Sequence, residues 1–209
     1  MNLAERSIGL FDSGIGGLTV VRALREKLPH ESMIYIGDTL NVPFGSKPRH
    51  RLQTLSYRLI GYLLGRGVKA IVIACNTSTS AIFPEAQKDF QTPIIGPIRA
   101  GAEEAIRCSR GGRIGLLATE GTVKNGAYQD FINRLNPQAS IIPQAAPGLV
   151  EAVEKGQITS PETVQLVKQY LTVFNGKIDT LILGCTHYPF LKNIIKPYLD
   201  DKVQMVDPA

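Results

Sequence analysis

Ala70-Ile71-Val72-Ile73-Ala74-Cys75-Asn76-Thr77 is an apolar run that turns polar at a cysteine, and the chain carries it twice. The second occurrence, Thr180-Leu181-Ile182-Leu183-Gly184-Cys185-Thr186-His187, has the same layout: a stretch suited to a buried strand, then a thiol at its tip. An earlier pair keeps step with it, since Ile8-Gly9-Leu10-Phe11 returns as Ile114-Gly115-Leu116-Leu117. Repeats in this order predict two similar α/β units. Facing each other, they would place one cysteine on each side of a shared cleft. That suits a reaction needing a proton acceptor and a proton donor on opposite faces of one carbon.

Outward from these runs, further strands are expected at Met33–Gly37, Pro93–Ile95, Ser140–Pro143 and Val203–Val206, with the repeated runs giving Ser7–Phe11, Ala70–Ala74, Arg113–Leu117 and Asp179–Leu183. Most are short and apolar without alternation, as parallel strands covered on both faces should be. Helical spacing links them: Leu18, Val21, Leu24 and Leu28; Leu52, Leu55, Leu59 and Leu63; Arg99–Cys108; and Val164, Val167, Leu171 and Phe174 after the capping signal Ser160-Pro161-Glu162. The expected fold class is α/β: two similar parallel-sheet domains related by pseudo-symmetry, residues 1–97 and 98–209, with the active site in the cleft between them. Ile95-Gly96-Pro97-Ile98 is the crossover, and no flexible linker separates the halves.

Composition narrows the function. With 209 residues, 44% hydrophobic and 20% charged, the chain reads as globular rather than disordered. It lacks an apolar run of the ~20 residues a membrane span needs, and its N-terminus has no signal-peptide layout, so a cytoplasmic location without membrane partners is expected. Three cysteines without a C-x-x-C pair suit neither a disulfide framework nor a zinc ribbon. The basic run Lys47-Pro48-Arg49-His50-Arg51 has no interleaved aromatics and reads as a solvated loop and helix start, so no nucleic-acid partner is expected. The net charge of +5 favours encounter with a small anion such as a dicarboxylate.

Three segments can carry chemistry. Phe11-Asp12-Ser13-Gly14-Ile15-Gly16-Gly17 closes a strand and opens a helix, where exposed N–H groups suit an anion; Thr19 replaces the third glycine of a dinucleotide fingerprint. Cys75 and Cys185 each sit at a strand tip followed at once by polar residues. A thiol of pKa about 8.5 is only about 3% ionised at pH 7, and a helix N-terminus beyond each strand should help ionise it. Asp12, Glu151 and His187 are the candidate assisting groups. Cys108, on an amphipathic helix with no mirrored partner, and His30 and His50, read as surface residues, are assigned no function. A metal site from Cys75, Cys185 and His187 lacks a supporting ligand cluster. A cysteine hydrolase would leave the second thiol unused, and nothing shows the thiols close enough for a disulfide pair.

At these residues the chain resembles the glutamate racemases of the cofactor-independent aspartate/glutamate racemase superfamily, through F-D-S-G-I-G-G at 11–17, A-C-N-T at 74–77, A-T-E-G-T at 118–122 and G-C-T-H-Y-P at 184–189. The resemblance implies interconversion of L- and D-glutamate without metal or other cofactor, supplying D-glutamate for peptidoglycan. It implies Cys75 acting on the D-enantiomer and Cys185 on the L-enantiomer, assisted by Asp12 and His187, with Glu151 as a supporting acid. Substrate contacts would fall to Asp12, Ser13, Phe44, Gly45, Asn76, Thr77, Thr186 and His187, with Thr119 and Thr122 behind them. Glutamate is the expected partner, and a homodimer the expected assembly. An aspartate racemase, another two-cysteine epimerase and a catalytically silent amino-acid-binding homologue are the alternatives. Two departures stand out: Pro43-Phe44-Gly45 where the family commonly has Pro-Tyr-Gly, and an end at Val206-Asp207-Pro208-Ala209 where relatives continue through helix and strand. Residues 203–209 are expected to turn back toward the first domain.

Overall fold

Each apolar run becomes a strand in the computed structural model, which describes residues 3–209. The strands are β1 (Ile8–Asp12), β2 (Met33–Gly37), β3 (Ala70–Ile73), β4 (Ile94–Ile95), β5 (Arg113–Ala118), β6 (Ser140–Ala145), β7 (Thr180–Gly184) and β8 (Gln204–Val206). They form two four-stranded sheets, ordered β2-β1-β3-β4 and β6-β5-β7-β8, with every pairing parallel. The second order repeats the first, as the repeated motifs require.

Parallel neighbours need crossovers, and helices supply them. They are α1 (Leu18–Lys27), α2 (Arg49–Gly65), α3 (Asn76–Asp89), α4 (Pro97–Cys108), α5 (Glu120–Asn125), α6 (Ala127–Leu135), α7 (Leu149–Glu154), α8 (Pro161–Leu171) and α9 (Lys192–Ile195). The leucine stripe of α2 packs on Phe11, Ile71 and Ile73 of the first sheet, while Val20 of α1 meets Leu10 and Ala74 on the other face. In the second sheet, Val153, Val167 and Leu171 cover Leu181 and Leu183, and Ile98, Ala102 and Tyr128 cover Leu116 and Ile182 from the opposite side. Strands β1 and β7 are buried along their whole length, which explains their unbroken apolar sequence.

This winding positions the site. The chain leaves β1 to one side for β2 and returns on the other for β3, so a crevice opens beyond the C-terminal ends of β1 and β3. The second sheet does the same beyond β5 and β7. Asp12, Cys75, Thr119 and Cys185 all stand at these four ends.

Two expectations change. β8 does not turn back to the first domain: it adds to the second sheet, pairing Thr180 with Gln204 and Ile182 with Val206, because its apolar residues complete the edge beside β7. Only the final residues Asp207–Ala209 run beside Thr19 and Val20 of α1. Nor does a long helix follow Cys185. The chain makes a 3-10 turn over Tyr188–Leu191 and then the four-residue α9, so of the two thiols only Cys75 has an extended helix behind it.

Candidate active site

Asp12 ends β1 wholly buried, and its carboxylate binds the turn that follows: Oδ2 accepts N–H groups of Gly14 at 3.3 Å and Gly17 at 3.0 Å. Thr186 of the second domain donates its hydroxyl to the same carboxylate at 3.2 Å and 3.3 Å. Burial raises the Asp12 pKa, with His187 and these hydrogen bonds pulling the other way. The glycine-rich turn was expected to offer its N–H groups to an anion. Here the anions are the protein's own, since Ile15 N–H goes to Glu154 Oε1 at 2.9 Å.

Cys75 is the N-cap of α3, and its sulfur accepts from Ser78 N–H at 3.5 Å. Burial, and then the charge of Asp12, push its thiol up to about 11 against backbone N–H groups of Ser78 and Thr77 that favour the thiolate. Cys185 lies at the matching tip of β7, also buried, with Sγ 3.7 Å from His187 Nδ1. Burial drives its pKa well above the usual thiol range; Cys75 and Asp12 add to the rise, while N–H groups of His187 and Tyr188 oppose it. His187 is itself buried, and its Nε2 faces Glu154 Oε1 at 2.6 Å. The two ring nitrogens thus face different partners, Nε2 toward Glu154 and Nδ1 toward the Cys185 sulfur.

The acid that meets His187 is Glu154, which the sequence did not single out; Glu151 was expected only as a supporting acid. Glu151 lies one turn earlier on α7, with its charge felt by Tyr188 and Tyr170. Two glutamates at i and i+3 in Leu149-Val150-Glu151-Ala152-Val153-Glu154 give the sequence no signal that separates them.

The other expected residues gather at the seam between the domains. Ser13, Asn76, Thr77 and Thr186 are buried there. Thr77 Oγ1 lies 2.8 Å from Thr119 Oγ1 and 3.3 Å from Thr122 Oγ1, a hydroxyl cluster joining the domains. The Gly45 carbonyl accepts from Gly121 N–H at 2.8 Å, while the Phe44 ring packs in the first domain's core beside Cys75. Sequence reasoning missed two tyrosines: Tyr35, whose hydroxyl donates to the Gly14 carbonyl, and Tyr128, which donates to Asn76 Oδ1 across the seam at 2.8 Å. Tyr35 sits inside an apolar strand run, and Tyr128 lies in a segment to which the sequence reading gave no element.

Glycine lets the domains meet this closely. A Cβ on Gly14 would lie 1.9 Å from Glu154 Oε1, and one on Gly16 would lie 2.5 Å from His187 Nδ1. The crevice beside Cys185, Ala74 and Asn76 has about 10 Å³ of space, enough for one water. The seam is shut over both thiols. Among the described residues no three His, Cys, Asp or Glu side chains cluster to hold a metal, and no helix is long and apolar enough to cross a membrane.

Comparison with known proteins agrees with this architecture. The family profile described as Asp/Glu/Hydantoin racemase matches residues 18–209. A glutamate racemase of Desulforudis audaxviator is 48% identical over 208 residues, covering 99% of this chain and 76% of the relative. The crystal structure of a glutamate racemase isoform of Bacillus anthracis superposes with a TM-score of 0.95 at 36% identity, over 98% of this chain and 77% of that one. A Francisella tularensis glutamate racemase crystallised with D-glutamate gives 0.91 at 37% identity, with the same coverage.

Proposed function

Because this chain belongs to the Asp/Glu/hydantoin racemase family, among its glutamate racemases, we propose that it interconverts L- and D-glutamate by proton transfer between two thiols. The observation that carries this reading is the matching placement of Cys75 and Cys185, each buried at a strand tip on its own side of the seam. One thiolate removes the α-proton and the other thiol returns a proton to the opposite face. Cys75 serves as base toward D-glutamate and Cys185 toward L-glutamate.

Each thiol has its own aid. Cys185 hands its proton to Nδ1 of His187, whose positive charge Glu154 then balances. Cys75 relies on the N-terminus of α3. A thiol of pKa about 11 lies four units above pH 7, so forming its anion in the shut site costs about 5.5 kcal/mol. Turnover near 10 s⁻¹ allows a barrier of about 16 kcal/mol, which can contain that cost. The ammonium group of glutamate next to Asp12 would lower it further by neutralising the charge that opposes Cys75. Substrate carboxylates are met by the hydroxyls and amides of Ser13, Asn76, Thr77 and Thr186, with Phe44 and Gly45 closing the first domain's side. The two domains part to admit substrate, since both thiols are buried at the seam. The same reading makes the chain a cytoplasmic enzyme, active as a homodimer, that supplies D-glutamate for peptidoglycan.

The direct test is racemisation of both enantiomers in deuterium oxide. Wild type should incorporate deuterium at the α-carbon from either side, while Cys75→Ser and Cys185→Ser should each lose racemisation by at least about 10³-fold. Near-normal turnover in either variant removes the two-thiol scheme.

A further inference from the structure

Ser78 is wholly buried in the first turn of α3, and its hydroxyl oxygen has no hydrogen-bond partner. Its neighbours are all paired: Thr77 bonds the hydroxyls of Thr119 and Thr122, Thr79 donates to the Cys75 carbonyl at 2.9 Å, and Ser80 donates to the Thr77 carbonyl at 2.8 Å. Leaving one hydroxyl of this run unsatisfied in the interior is destabilising, because desolvation is not repaid. The Ser78 backbone N–H already points at Cys75 Sγ at 3.5 Å. Its hydroxyl belongs to the residue whose N–H caps that sulfur, and a hydrogen bond from it would favour the charged form.

A thiol is a weak acceptor and a thiolate a strong one. We propose that Ser78 is a donor held in reserve for ionised Cys75: its hydroxyl turns onto the sulfur when the proton leaves, so it stabilises the base only in the state that reacts. Among the described residues, the titratable groups facing Cys75 do not do this. Asp12 from β1 carries the wrong charge, Tyr35 from β2 spends its hydroxyl on the Gly14 carbonyl, and Cys185 across the seam is a second acid. Cys185 has a histidine and glutamate behind it; Ser78 gives Cys75 a neutral counterpart.

This inference rests on the two-thiol reading, and its test separates the two. The rate of iodoacetamide alkylation at Cys75 and at Cys185 is followed from pH 6 to 11 by peptide mass spectrometry on the full chain. Ser78→Ala should slow alkylation of Cys75 about tenfold at fixed pH below its pKa, the loss expected for one hydrogen bond to a charged group, and leave Cys185 unchanged. Ser78→Thr, which keeps the hydroxyl, should restore the parent profile. Thermal melts should show Ser78→Ala no less stable than wild type, since it deletes an unpaired polar atom. An unchanged Cys75 profile in Ser78→Ala, or an equal shift at both cysteines, overturns the role of Ser78. If Cys75→Ser still racemises glutamate, the reading beneath it fails instead, whatever the alkylation profile.

Discussion

Glu154 serves two partners with one oxygen, accepting from Ile15 N–H at 2.9 Å and facing His187 Nε2 at 2.6 Å. The first contact ties α7 to the turn after β1 in the other domain, and the second fixes which imidazole nitrogen faces Cys185. On the two-thiol proposal, proton uptake at Nδ1 depends on a carboxylate that also bonds the turn of the other domain. Glu154→Gln keeps the shape and removes the balancing charge, so kcat/KM should fall about 10²-fold. Glu151→Gln, one turn earlier and away from His187, should stay within about twofold of wild type. Steady-state racemisation by circular dichroism distinguishes them, and equal losses in both variants would contradict the assignment of Glu154.

The turn between β1 and α1 is the element on which closure depends. Gly16 faces His187 Nδ1 and Thr186 Oγ1, and its missing Cβ would lie 2.5 Å and 2.6 Å from them. The buried imidazole cannot retreat, being held by Glu154, so Gly16→Ala must hold the domains apart. Overpacking of this kind costs about 1–3 kcal/mol of stability, and the displaced seam should lower kcat/KM at least tenfold. Gly61, exposed in the interior of α2 with nothing within 4 Å of a built Cβ, is the control: Gly61→Ala should gain about 0.5–1 kcal/mol and leave activity alone. Urea unfolding with parallel activity assays reads both, and a fully active Gly16→Ala would show that the seam need not close this far. The same element shows where sequence reading stops. The eight described strands were legible as short apolar runs, plainest in the buried central strands β1, β5 and β7, and both thiols because polarity breaks those runs at Cys75 and Cys185. The turn's glycines were legible as a tight backbone but not as a docking surface. Their partners, Glu154 and His187, come from the other domain, and local pattern carries no information across that distance. The helix N-terminus expected beyond Cys185 is only a 3-10 turn, while β8 was drawn to the second sheet by an edge visible only in three dimensions.

At the scale of the whole molecule, two thiols buried at a domain seam make the fold itself sensitive to alkali. An unfolded cysteine ionises near its ordinary value of 9.0, whereas folded Cys75 holds its proton to about 11. The folded state then binds more protons than the unfolded state between those values, so this contribution to stability is present below pH 9 and is lost as pH rises through 11. Two units correspond to about 2.7 kcal/mol. Cys185 shifts in the same direction for the same cause, burial, and adds to the loss. The raised tyrosines Tyr128 and Tyr188, whose shifts do not depend on Cys75, steepen the decline further at higher pH and cancel in the difference between wild type and Cys75→Ser. Denaturant unfolding of wild type and Cys75→Ser at intervals from pH 7 to 11 should give curves that converge by about 2 kcal/mol above pH 9, with Cys75→Ser the flatter. Parallel curves would mean that Cys75 ionises as readily in the folded protein as in the unfolded chain. The shut, water-poor seam would then not be what withholds the thiolate, and the case for domains that open to admit substrate and close to react would lose its energetic basis.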